Sequence, residues 1–196
     1  MHVPDGRPNA TQQTSTTYFL NRTPVIISRM SHLEHRATSP AHIRCYVLTI
    51  SDTRTEEDDT GGQLLRNLLV QDGHEVIGHA IVRDEAASVR AAIERQLDIK
   101  EVQAVITTGG TGISRRDGTY EVVSGLIEKR IDGFGELFRT LSFNEIGPSA
   151  MLSRACAGVA KGSILISLPG SQNAVRLGMT RLVLPELGHL VREVNR

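Results

Sequence analysis

Between a β-branched run and a segment of helical periodicity lies Thr107-Thr108-Gly109-Gly110-Thr111-Gly112-Ile113-Ser114-Arg115-Arg116-Asp117. Glycines at 109, 110 and 112 free the backbone for φ > 0 and for close approach to a ligand, so that successive N–H groups can form an anion-binding concavity. The hydroxyls of Thr108, Thr111 and Ser114 add donors, and Arg115 and Arg116 add guanidinium groups that match phosphate geometry. A plain strand-to-helix turn has no need of so many glycine and polar positions. The motif is not a dinucleotide fingerprint, whose third glycine would fall on Arg115, and it is not a P-loop, because no Lys-Ser or Lys-Thr follows a glycine at the required spacing. The Gly158 to Ser163 stretch, with Lys161-Gly162, resembles a P-loop only superficially.

Three carboxylates are the natural complement to such a cradle. Asp52, Asp84 and Asp117 each fall just after an apolar, strand-like run. Converging carboxylates can hold Mg²⁺, which takes one or two of them together with phosphate oxygens and water. Each also has a plainer reading: Asp84 precedes one helical segment and Asp117 another, where either could be an N-cap. Pro169-Gly170-Ser171 follows a further strand-like run and opens a helical segment, which gives a second possible anion site with Ser171 as N-cap and donor.

The elements that must position these residues alternate along the chain. Residues 43–50 form a buried-strand pattern, 61–72 an amphipathic helix with leucines at 64, 65, 68 and 69 and a Gly73 stop, and 75–82 a second strand. Residues 85–97 follow as a helix, 102–108 as a strand, 119–129 and 136–143 as helices, 164–168 as a strand, and 172–194 as a closing helix that Pro185 should kink or break near Leu184. Such alternation specifies a mostly parallel sheet with helices on both faces, a three-layer α/β/α arrangement with right-handed crossovers. Ligands in these folds bind outside the carboxyl ends of the strands, where residues 51–52, 83–84, 107–117 and 169–171 fall.

Composition bounds the rest. The 196 residues suit one domain, 39% of them hydrophobic and 22% charged, so a packed core can form. Lys plus Arg equal Asp plus Glu at 22 each, which disfavours nucleic acid and anionic membranes as partners. Cys45 and Cys156 are far apart with no C-x-x-C, which argues against structural zinc or a disulfide framework. With strand-sized apolar runs only and no basic start leading into a long apolar stretch, the sequence reads as a soluble cytoplasmic protein without a membrane span. Residues 1–41, rich in Ser, Thr, Pro and His, read as a disordered tail, and 42–196 as the α/β domain. The natural start is expected at Met30, because the residues before it have no evident structural job.

A set of local sequences resembles one family: Ser51-Asp52-Thr53-Arg54-Thr55, Asp58-Asp59-Thr60-Gly61, the 107–112 turn with Arg116-Asp117, Gly133-Phe134-Gly135-Glu136, Phe138-Arg139-Thr140-Leu141-Ser142, Glu145-Ile146-Gly147, Leu152-Ser153-Arg154-Ala155 and Leu168-Pro169-Gly170-Ser171. In this order, over residues 43–194, they are similar to the MoaB/MogA group of molybdenum cofactor biosynthesis proteins, and closest to its MoaB branch. The resemblance implies a molybdopterin-binding α/β domain in a homo-trimer or homo-hexamer, and a molybdopterin adenylyltransferase that uses Mg²⁺ and takes ATP and molybdopterin as substrates. Other enzymes of molybdenum cofactor biosynthesis are possible partners. It places the essential carboxylates on Asp84 and Asp117; the reading of converging carboxylates adds Asp52 to these two at the metal. Thr108, Gly109, Gly110, Thr111, Gly112, Ser114, Arg116, Ser153, Arg154, Pro169, Gly170 and Ser171 are then expected to bind substrate. Departures occur at Gly118 and Tyr120, where the MogA branch commonly has Val and Pro, and at Arg83, where it often has Pro. The rival expectation is a non-catalytic molybdopterin carrier, which would have no use for the two acids. A nucleotide-dependent oxidoreductase is disfavoured by the missing fingerprint.

Overall fold

The computed structural model describes residues 39–115 and 117–196. The expected tail therefore lies outside the described residues except for its last three, and so does Arg116.

Four strands run parallel through the centre: β1 (Arg44–Ile50), β2 (Glu75–Val82), β3 (Ala104–Thr108) and, late in the chain, β6 (Ser163–Leu168). β4 (Lys129–Arg130) and β5 (Cys156–Ala160) complete a sheet of order β2-β1-β3-β6-β5-β4, with β5 antiparallel to both its neighbours. The α/β class is thus the one the alternation specified.

Side-chain alternation along the strands feeds two cores. Cys45, Val47, Ala104, Ile106, Ile164, Ile166 and Leu168 point to one face, where α1 (Thr60–Gln71), α4 (Asp132–Ile146), α5 (Gln172–Gly178) and α6 (Leu184–Val194) cover them. Leu48, Ile50, Val105 and Leu165 point to the other, under α2 (Ala86–Leu97) and α3 (Thr119–Leu126). This two-sided burial explains why the central strands are apolar nearly throughout rather than alternating with polar residues.

Three boundaries differ from the sequence reading. The helix expected over 119–129 ends at Leu126, because Ile127 turns to extended geometry and Lys129–Arg130 pair with β5 as an edge strand. The helix expected over 136–143 begins at Asp132 and runs to Ile146. Buried Phe134 and Phe138, ring centroids 6.4 Å apart, pack it down strongly enough to override the low helix propensity of Gly133 and Gly135. β5 has no counterpart in the sequence reading. It is joined to β6 by the two residues Lys161 and Gly162, at φ 48° and 78°, the positive-φ pair that a tight antiparallel turn demands.

The break expected near Leu184 is absorbed without ending the helix. Residues Met179–Val183 form a π-helical turn in which the Leu184 N–H donates to the Met179 carbonyl, and Pro185 sits in the first turn of α6, where its missing N–H is tolerated.

Candidate functional site

Chain order reverses between β1 and β3, since β2 lies on the far side of β1 while β6 lies beyond β3. In an open parallel sheet that switch point, at the carboxyl ends of the strands, is where a crevice forms. Here the segments after β1, β2, β3 and β6 meet there.

The glycine turn crosses β1 as closely as a backbone can. At Gly109, φ is 101° and a Cβ would come within 2.2 Å of the Ile50 carbonyl, so only glycine fits. Its N–H donates to the Leu168 carbonyl at 3.1 Å. Thr108 donates its hydroxyl to the Pro169 carbonyl at 3.2 Å, which binds the 169–171 turn to the same edge. Gly110, at φ 63°, has room for no Cβ either, because Thr119 Oγ1 and Asp84 Oδ1 would lie 2.2 and 2.8 Å away. The N–H groups of Gly110, Thr111, Gly112 and Ile113 find no acceptor among the described residues, whereas Ser114 donates its N–H to Asp117 Oδ2 at 2.7 Å. Four successive free N–H groups are what an anion cradle requires.

The carboxylates gather beside this turn, Asp84 next to Gly110 and Asp117 next to Gly112. Asp84 accepts the Thr119 hydroxyl at 3.3 Å and the Gly118 N–H, and its own N–H donates to Asp52 Oδ1 at 3.3 Å. Burial, reinforced by the charges of Asp117 and Asp52, raises the Asp84 carboxyl above its ordinary value. Asp117 is shifted the other way, first by its hydrogen bonds with Ser114 and then by the Arg154 charge. The capping alternative fails for both. The N-cap of α2 is Glu85, that of α3 is Gly118, and neither helix start receives a side-chain cap. Among the described residues no three His, Cys, Asp or Glu side chains stand together as a ready-made metal cage. Asp52, Asp84 and Asp117 thus form a linked acidic row rather than a closed site.

Two further side chains shape the edge, and one escaped sequence reasoning. Asp59, 1% exposed, caps α1 by accepting the Gly62 N–H at 2.9 Å and also accepts the Thr49 hydroxyl at 2.7 Å. It ties the loop after β1 to the helix whose Gly61 would, with a Cβ, lie 3.3 Å from the Gly170 carbonyl. An Asp two places before a Gly-Gly and a leucine repeat is a readable N-cap signal. Ser171 caps α5 as expected, accepting the Ala174 N–H at 3.2 Å.

Ser153 terminates the 3₁₀ turn Gly147–Leu152. Arg154, which follows it, reaches back to the glycine turn. Its Nε donates to the Thr111 carbonyl at 2.9 Å and one terminal nitrogen donates to the Gly112 carbonyl. The other pairs with Glu121, and the guanidinium lies 4.9 Å from the Tyr120 ring centroid. A cavity of about 170 Å³ opens beyond Tyr120, lined also by Arg130, Glu136, Arg139 and Cys156.

Residues 46–189 match the family described as "Probable molybdopterin binding domain". The chain is 51% identical over 168 residues to molybdenum cofactor biosynthesis protein B of Bacillus cereus, an alignment covering 85% of this chain and 99% of that one. The Bacillus subtilis protein of the same name is 43% identical over the same shares. A crystal structure of a molybdenum cofactor biosynthesis protein B superposes with TM-score 0.78 at 51% identity, covering 81% of this chain and 99% of that one. The tungsten cofactor synthesizing protein MoaB of Pyrococcus furiosus gives TM-score 0.73 at 34% identity, covering 81% of this chain and all of that one.

Proposed function

The chain belongs to the molybdopterin-binding family of these molybdenum cofactor biosynthesis proteins, and on that premise we propose that it adenylylates molybdopterin with ATP during cofactor synthesis. The observation that carries this reading is the meeting, at one sheet edge, of the free N–H row of residues 110–113 with a carboxylate row that caps no helix. A carrier needs the first and not the second.

In the reaction a terminal phosphate oxygen of molybdopterin attacks the α-phosphorus of ATP. A new P–O bond forms, the bond to the β-phosphate oxygen breaks, and pyrophosphate leaves with the electron pair. Little proton chemistry is involved, so the protein's work is alignment and charge compensation. The cradle of residues 110–113 binds one phosphate and fixes its direction. Thr119 and the Gly118 N–H hold the Asp84 carboxylate toward the crevice, and Ser114 holds Asp117.

The donor set suits Mg²⁺. Asp84, Asp117 and Asp52 are hard oxygen ligands whose mutual repulsion contributes to raising the Asp84 carboxyl, and a divalent cation relieves it. Asp84 and Asp117, with Asp52 adjoining, would hold Mg²⁺, which would neutralise charge on the polyphosphate.

Assembly into a homo-oligomer belongs to the same proposal. Phe143 and Ile146, three residues apart on α4, and Met151 and Leu152 in the 3₁₀ turn that follows are all more than half exposed, apolar side chains that a second copy would cover. No helix among the described residues is long and apolar enough to cross a membrane. The direct test is incubation of the purified protein with molybdopterin, ATP and Mg²⁺, with mass detection of adenylylated molybdopterin and pyrophosphate. Absence of product, with molybdopterin still bound, would favour the carrier.

A further inference from the structure

Arg154 stands where a phosphate ligand is expected, yet its donors are directed elsewhere. Nε and one terminal nitrogen meet the carbonyls of Thr111 and Gly112, and the other terminal nitrogen meets Glu121 in the first turn of α3. The face of the guanidinium lies against Tyr120, and the side chain is 22% exposed. Three of its five N–H donors are thus committed within the protein and one face is covered.

A trans peptide unit carries its C=O and N–H in opposite directions. The Thr111 carbonyl shares its plane with the Gly112 N–H, and the Gly112 carbonyl shares its plane with the Ile113 N–H. Holding both carbonyls against Arg154 therefore turns both N–H groups to the other side of the loop, among the four that find no acceptor. The positive charge on the carbonyl side also polarises these peptide units and makes their N–H groups stronger donors.

We propose that Arg154 is a positioning residue: a clamp behind the glycine turn that sets the direction of the Gly112 and Ile113 N–H groups toward a phosphate it does not itself touch. Glu121 and Tyr120 hold the clamp in place. The assignment rests on the reading of residues 110–113 as the phosphate cradle, and it separates Arg154 from the substrate-contacting set in which its sequence neighbourhood placed it.

Inorganic pyrophosphate is the probe, titrated without metal into ¹⁵N-labelled full-length protein while the amide signals of Gly110 to Ile113 are followed. In the parental protein these amides should shift saturably. Arg154→Lys keeps the charge but not the three-way fork, so a clamp predicts that Arg154→Lys weakens binding as much as Arg154→Ala does. The expected loss is about 10- to 100-fold, as for misaligning one or two hydrogen bonds to an anion. A direct ligand would instead lose most of its contribution in Arg154→Ala and keep most of it in Arg154→Lys. Glu121→Gln serves as the second arm should either Arg154 variant fold poorly. It loosens the clamp and should weaken binding a few-fold, whereas it would strengthen binding if Arg154 were thereby released to the anion. Parental affinity in Arg154→Lys, or tighter binding in Glu121→Gln, overturns the clamp while leaving the cradle standing. No shift at Gly110 to Ile113 in the parental protein overturns the cradle and the clamp together, whatever the outcome of the adenylylation assay.

Discussion

Replacing Asp84 by Asn separates the functional role of this residue from a structural one, because the structure fixes the sign of its effect on stability. The carboxyl accepts the Gly118 N–H and the Thr119 hydroxyl, and a carboxamide oxygen can accept both. No helix cap is lost, since α2 and α3 start at Glu85 and Gly118 without side-chain caps. What disappears is a charge whose folded-state pKa is raised above 3.8, by burial first and by Asp117 and Asp52 after it. A carboxyl raised in this way makes its favourable contribution below 3.8 and loses it as pH climbs through the folded value. At pH 7 the ionised Asp84 is therefore a burden on the fold. Asp84→Asn should melt at or slightly above the parental temperature at neutral pH, the difference staying within about 1 kcal/mol and shrinking on acidification toward the ordinary carboxyl value.

Activity should move the opposite way. Loss of a transition-state interaction of about 3–4 kcal/mol lowers turnover roughly 10²- to 10³-fold. Asp117→Asn should show the same loss of turnover with a small loss of stability, because its Ser114 hydrogen bond becomes neutral. The Asp117 carboxyl is lowered, so its stabilising contribution is present at neutral pH and vanishes only as pH falls through that lowered value. Calorimetric melts across pH, together with mass-detected adenylyl transfer, make the comparison. Molybdopterin binding should persist in both variants, since the N–H row is untouched. An Asp84→Asn protein that turns over at the parental rate, or melts many degrees lower at pH 7, would refute the reasoning.

Gly110→Ala forces a Cβ against Thr119 Oγ1 and Asp84 Oδ1 at a backbone φ of 63°, so it should cost about 1–2 kcal/mol by thermal melt and displace Asp84 enough to abolish most adenylyl transfer. A chain begun at Met30 should melt within a degree or two of the full chain and sediment as the same species; unfolding or a smaller species would show that the omitted residues carry structure. Sedimentation of the full chain should give a trimer or hexamer, and Phe143→Asp combined with Met151→Asp, in side chains 57% and 74% exposed, should yield a smaller species.

Strands and helices were legible where the apolar run or the hydrophobic periodicity was strong. β1, β3 and β6, apolar on both faces, could be read this way, and so could α1 with its leucine repeat and Gly73 stop. β5 was not, because Cys156-Ala-Gly-Val-Ala is short and contains Gly158, whose smallness is explained only across the sheet: a Cβ there would meet the Ile127 side chain at 2.3 Å and the Lys129 carbonyl at 2.5 Å. The Lys161-Gly162 turn is the available signal, and it is masked by a partial likeness to a phosphate loop. The start of α4 was hidden for a similar reason, since Gly133 and Gly135 weaken the local preference for helix that Phe134 and Phe138 restore by packing.

Within the site, residue types were legible and directions were not. Sequence placed Asp84 and Asp117 just after strands, and their plainer role as caps is ruled out by Glu85 and Gly118, which occupy the cap positions. For Arg154, the family resemblance sets it among the substrate-binding residues, and only its contacts with the Thr111 and Gly112 carbonyls show that it reaches the carbonyl side of the turn. The second case turns on the asymmetry of a tight loop. Its N–H groups and its carbonyls must point to opposite sides, so a loop that offers four free N–H groups to a ligand presents carbonyls to the protein behind it. Those carbonyls, if buried, need donors, and a guanidinium bridging Thr111 and Gly112 meets two such needs at once. The basic clamp is therefore a consequence of that geometry. A cationic donor belongs behind the cradle, where the carbonyls are, while the carboxylates border the turn at Gly110 and Gly112, where a cation shared with a polyphosphate would offset their repulsion.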